Sequence, residues 1–93
     1  MPKAVQVNPN PYVPVRGHDI ITFFGEKIIE GSEINIYNQA GEQIKKIKIN
    51  YTNNSVKWNA KNYEGNKVAS GIYIYTLETP AGSIYKGKLG IIR

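Results

Sequence analysis

No stretch of this chain repeats its apolar residues at helical spacing. Short runs with alternate residues apolar are instead cut roughly every eight to twelve residues by Gly, Asn and Pro. Alternation at a period of two puts one apolar face on each strand, and such faces must be buried against another sheet. About seven short strands with tight turns therefore predict an all-β chain, an antiparallel β-sandwich of immunoglobulin-like kind. The 93 residues, 41% of them hydrophobic, suffice for a single sandwich spanning 1–93, with an expected radius of gyration of roughly 12 to 13 Å.

The richest stretch is Trp58 to Thr79. A strand begun at Ser55 closes on Trp58, a polar loop runs from Asn59 to Lys67, and Ala69-Ser70-Gly71 punctuates the chain before Ile72–Leu77. Upstream, Ala4–Val7 is a short strand that stops at Asn8-Pro9-Asn10-Pro11, where two prolines remove two backbone donors, so residues 1–18 form a partly irregular lead-in. Asp19–Phe24 reads as a strand apolar on both faces, and Ile28 or Ile29 of the following loop tucks under the rim. Glu33–Asn38 points Ile34 and Ile36 inward and Glu33, Asn35 and Tyr37 outward.

Asn38-Gln39-Ala40-Gly41 and Thr79-Pro80-Ala81-Gly82 carry tight-turn signatures, each with a late glycine able to take positive φ. From Glu42 to Asn50, Ile47 and Ile49 share a face and Ile44 is out of phase, which a bulge near Lys45 corrects. The last strand, Ser83–Arg93, places Tyr85, Leu89 and Ile91 on one side and Lys86 and Lys88 on the other.

The inventory for chemistry is thin. One Asp, one His and no Cys leave only the adjacent His18 and Asp19 for a triad, and neighbours on a strand point opposite ways. The glutamates fall in loops or on outward positions, and a thiolate metal site or disulfide framework is excluded. Asn59, Asn62, Glu64 and Asn66 offer oxygens in one loop, but calcium loops use several aspartates and Asn side chains also bond their own backbone. The tyrosines at 12, 37, 51 and 63 are scattered, while Tyr73, Tyr75 and Tyr85 read as core or rim packing. Two Asn-x-Ser/Thr matches, at Asn50 and Asn53, are given no role among ten asparagines. The expectation is a protein that is not an enzyme and needs no cofactor or metal.

A net charge of +5 arises from ten Lys and two Arg against seven acids. The lysines alternate with isoleucines along strands, which is the pattern of solvated faces and argues against nucleic-acid binding. No run reaches the roughly 18 apolar residues of a membrane span, and MPKAVQVNPNP lacks a signal peptide's apolar core. Two readings stay open on these grounds: a protein working inside a cell, or a piece of a longer polypeptide whose signal lies upstream.

Several of these stretches together form one pattern: Asn8-Pro9-Asn10-Pro11, Ile34-Asn35-Ile36-Tyr37-Asn38-Gln39-Ala40-Gly41, Trp58 with Asn62 and Gly65, Val68-Ala69-Ser70-Gly71-Ile72-Tyr73, and Gly87-Lys88-Leu89. The chain resembles, over nearly its whole length, the FlgD-type immunoglobulin-like domain and the related C-terminal sorting domain of type IX secretion cargo. That resemblance implies a non-catalytic module at the C-terminus of a large secreted bacterial protein, found outside the cell or at its surface. Its partners would be an upstream passenger domain in the same polypeptide and proteins of the secretion or assembly machinery, with no nucleic acid and no membrane insertion. Carried over by position, recognition falls on Gly71, Tyr73, Lys86, Lys88, Leu89 and Arg93. The chain departs from the family in reading Asn59-Ala60 where Asp-Gly is usual after the tryptophan. The resemblance leaves two other roles open: a structural module of the flagellar hook-cap type, and a carbohydrate-binding accessory domain of a secreted hydrolase.

Overall fold

A computed structural model describes residues 4–50 and 53–93. Among them seven strands form two antiparallel sheets: β1 (Gln6–Asn8), β2 (Ile21–Phe24), β3 (Glu33–Tyr37), β4 (Gln43–Lys48), β5 (Ser55–Trp58), β6 (Gly71–Glu78) and β7 (Ile84–Ile91). One sheet runs β1-β2-β5 and the other β4-β3-β6-β7. The arrangement is the expected immunoglobulin-like sandwich, with a radius of gyration of 12.5 Å. Tyr51 and Thr52, part of one expected polar turn and of one Asn-x-Thr match, lie outside the described residues.

Alternation sets the core. Ile21 and Phe23 of β2, Ile34 and Ile36 of β3, Leu77 of β6 and Leu89 of β7 are wholly buried. Each such side chain contributes roughly 1.5–3 kcal/mol relative to an exposed position. Phe23 meets Tyr75 across the two sheets edge to face, with ring centroids 5.1 Å apart, the geometry that the ring quadrupoles prefer. Ile28, from the loop after β2, plugs the rim at 0% exposure while its neighbour Ile29 stays in solvent. Trp58 is buried at the end of β5 and donates its indole N–H to Lys61 O at 2.9 Å.

Differences from the expected boundaries have local causes. β2 begins at Ile21 rather than Asp19, because its partner β5 ends at Trp58, opposite Ile21, and the chain then turns at Ala60 with φ 60°. β1 is displaced to Gln6–Asn8, pairing Gln6 with Phe24 and Asn8 with Thr22. The irregularity expected near Lys45 is present: Lys45 pairs with Ile36 and Gln43 with Tyr37, so Ile44 is the extra residue of a bulge. It brings Ile44 as well as Ile47 against the core. Asn35 is on the outward phase, as expected, yet only 7% exposed. Gln43 Nε2 donates to its Oδ1 at 2.7 Å, and Thr76 is its partner on β6.

The lead-in behaves differently from its expected end of pairing. β1 stops at Asn8, but the chain then passes to the other sheet and pairs again. Tyr12 N–H donates to Gly90 O at 2.8 Å, and Ile92 N–H to Tyr12 O at 2.9 Å. Between Pro9 and Pro11, both following cis peptide bonds, the Asn10 side chain takes the place of a backbone amide. Its Nδ2 donates to Lys88 O and its Oδ1 accepts from Gly90 N–H, both at 3.0 Å. Tyr12, read as one of the scattered aromatics, is thereby carried into the core at 5% exposure.

Candidate functional site

β6 and β7 pair over their full length, so the residues of the expected recognition set are fixed relative to one another. Gly71 is opposite Ile91, Tyr73 opposite Leu89, Ile74 opposite Lys88 and Thr76 opposite Lys86. Alternation then divides the set in two. Tyr73 and Leu89 face the core at 6% and 0% exposure, whereas Lys86 and Lys88 stand on the outer face. Among the described residues neither lysine forms an ion pair.

Tyr73 and Arg93 tie down the connection from β5 to β6. Tyr73 donates its hydroxyl to Ala69 O at 2.6 Å. Arg93, two residues past the end of β7, holds three groups of that connection: its N–H donates to Ser70 Oγ at 2.9 Å, its Nε to Val68 O and its Nη2 to Ala60 O at 3.5 Å. Burial pushes the Tyr73 hydroxyl pKa up from its ordinary value, partly offset by the Arg93 charge. Burial alone pushes up that of Tyr75. Gly71 begins β6 beside these contacts. Four members of the set are thus engaged within the fold, and the two lysines are presented to solvent.

The outer face also holds residues that the expected set left out. Ile72 is 45% exposed and Ile92 53% exposed. With Pro11, Gln39, Ser70 and Gly90 they line a shallow, mainly apolar groove of about 430 Å³. Gly90 lies opposite Ile72, and a Cβ on Gly90 would come within 3.4 Å of Pro11, so Pro11 packs close over the glycine backbone. The signal was in Ile72-Tyr73-Ile74-Tyr75: a strand apolar in both phases is covered on both faces or offers one of them to a partner. The candidate site is therefore an apolar strip on the last hairpin, with Lys86 and Lys88 on the same outer face.

The loop with four candidate oxygen ligands is organised by its own backbone. Asn62 Oδ1 accepts from the N–H groups of Glu64 and Asn66 at 2.9 and 3.0 Å, and Asn59 Oδ1 accepts from Lys61 N–H at 3.2 Å. Those bonds keep the turn after Trp58 despite the Asn59-Ala60 departure. Among the described residues no group of three His, Asp or Glu is placed to hold a metal ion. His18 uses Nδ1 to accept from Val13 N–H at 2.9 Å.

The profile of the FlgD Ig-like domain matches residues 21–83. Among solved structures, this chain is similar to a part of PorZ, an essential bacterial surface component of the type IX secretion system of the human oral bacterium Porphyromonas gingivalis. The identity is 30% and the TM-score 0.78, over 96% of this chain and 11% of the PorZ chain. CopC from Methylosinus trichosporium OB3b shares the fold alone, at 14% identity and TM-score 0.53 over 92% of this chain and 86% of that one. Among curated proteins none matches significantly.

Proposed function

Because this chain belongs to the FlgD Ig-like domain family, we propose that it is a non-catalytic sorting or anchoring module, directing a passenger in the same polypeptide to the outside or surface of a bacterium. The observation that carries this reading is the 30% identity with PorZ across 96% of the chain. PorZ itself is a surface component of the type IX secretion system. This chain corresponds to 11% of PorZ, so the likeness concerns a module, and the passenger's own activity does not enter the proposal.

A sorting module works by being recognised, which calls for surface shape and charge. The groove beside Ile72 and Ile92 supplies apolar area to be removed from water, and Lys86 and Lys88 supply orientation toward an acidic counterpart. The machinery proteins are the proposed partners of this face.

A reporter fused upstream of the chain tests the proposal. It is expected at the surface of a type IX-competent cell, and it is expected to stay inside an otherwise identical cell lacking the transport system. Equal display in both cells contradicts the proposal. Family membership also favours a second reading, a structural module of an extracellular assembly. That role predicts self-association of the purified chain in sedimentation, where the sorting role predicts a monomer.

A further inference from the structure

The two flanks of the sandwich are unlike. Along β7, the lead-in occupies outward backbone groups through Asn10 and Tyr12, and Pro9 and Pro11 have no N–H to offer a further strand. On the opposite flank β4 and β5 are edge strands of their sheets. Between them lies an open groove of about 480 Å³, lined by Lys45, Lys46, Lys48 and Lys57 together with Ile47 and Trp58.

The backbone of β4 is presented along this groove. Ile49 N–H donates to Ser32 O at 2.9 Å, next to the Glu33–Lys48 pair. Alternation in an antiparallel ladder therefore aims the N–H and C=O groups of Lys46 and Lys48 away from β3 and toward the open edge. At the other end of the strand Ile44 O is already taken by Tyr63 N–H at 3.2 Å. No carboxylate lines the groove. The nearby ion pair, Lys46 Nζ to Glu33 Oε2, is 3.8 Å long and partly exposed.

We propose that this edge takes an extended acidic segment of another polypeptide as an added strand, hydrogen-bonded to Lys46 and Lys48 and charge-matched to the groove lysines. Unpaired strand edges are templates for such addition. Lysines on the edge oppose pairing with a second copy, where like charges would face each other, and the same charges select an acidic strand. This edge lies away from the outer face of β6 and β7, and its pairing does not depend on the sorting role.

The test is fluorescence anisotropy of a short labelled peptide of alternating glutamate and threonine, titrated with the purified chain at low salt. Binding is expected, weakening as salt rises. Compared at about 0.15 M salt, where screening confines charge effects to roughly 8 Å, Lys48→Glu with Lys57→Glu is expected to weaken it about tenfold or more, whereas the same charge change at Lys86→Glu with Lys88→Glu, on the distant hairpin, changes it by less than about twofold. Lys46→Pro, which removes the outward N–H, is expected to bind about three- to tenfold more weakly than Lys46→Thr, which keeps it. Should the proline variant not fold, exchange protection of the Lys46 and Lys48 amides on adding peptide decides the same point. Absence of binding, equal losses for the two charge-reversal pairs, equal affinities for the Pro and Thr variants, or unprotected amides would overturn the proposal. A preference for heparin over the peptide would overturn it too, since a sulfated polysaccharide uses the lysines without the strand edge.

Discussion

At Gly87 the side chain is absent for a reason that packing makes plain. The Tyr75 ring lies across this position from the neighbouring strand, and a Cβ built on Gly87 would overlap the ring. Gly87→Ala is expected to cost about 2 kcal/mol or more in chemical denaturation. The cost is expected to shrink on a Tyr75→Val background, and additive losses in that double-mutant cycle would contradict the contact. The same tyrosine bears on pH. Burial raises the pKa values of Tyr73 and Tyr75 in the folded state, so the unfolded chain loses these protons first as pH rises. Their contribution is complete below roughly pH 10, the unfolded tyrosine value, and is lost as pH climbs through the raised folded values. The melting temperature is expected to fall between neutral and strongly alkaline pH, and less steeply in a Tyr73→Phe/Tyr75→Phe variant. A third residue, Arg93, lies in the expected recognition set but makes structural contacts to Val68, Ser70 and Ala60. Arg93→Ala is expected to lower stability by about 1 kcal/mol, measured by denaturation.

At the scale of elements, three turns share one construction. In Asn38–Glu42, Asn62–Asn66 and Thr79–Ser83 the first residue's N–H donates to the fifth residue's carbonyl, and its own carbonyl accepts from the fourth, a glycine at positive φ. In each, the first side chain's oxygen accepts from the fifth N–H. A Cβ at Gly41, Gly65 or Gly82 would meet nothing within 4 Å, so the glycine serves φ alone. Gly65→Ala is therefore expected to cost about 1 kcal/mol and Gly65→Asn less, since Asn tolerates the left-handed region. The first and third of these turns were legible to the residue in the sequence, because alternating strands flank them; the second was legible only as a polar loop over Asn59–Lys67, because only the single bridge Lys61–Lys67 flanks it. β5 was legible to the residue, and the bulge at Ile44 to within one position, since Ile44 broke an otherwise regular phase. The Asn10 contact was invisible for a different reason: it joins residues about 80 positions apart, and no local pattern reports it. Asn10→Asp, which keeps the acceptor and removes the donor, is expected to destabilise by roughly 1–2 kcal/mol.

For the whole molecule, the strands that carry the expected recognition set were legible, and the phase of each residue on them was not carried by the resemblance. The late strands were located correctly, but a resemblance transferred by position does not distinguish inward from outward phase. Alternation sends Tyr73 and Leu89 to the core and leaves Lys86, Lys88, Ile72 and Ile92 exposed to solvent. Deleting the last strand would remove buried Leu89 and Ile91 and unfold the sandwich, so loss of export after such a truncation says little about recognition. Point changes on the outer face separate the two effects, because surface substitutions away from packed contacts stay within about 0.5 kcal/mol. The decisive measurement is surface display of an upstream reporter carrying this chain with Ile72→Ser, Lys86→Glu and Lys88→Glu, in a type IX-competent cell, alongside a thermal melt of the same variant. An unchanged melt with display reduced to the level of a transport-deficient cell is the predicted result; an unchanged melt with undiminished display would contradict the account.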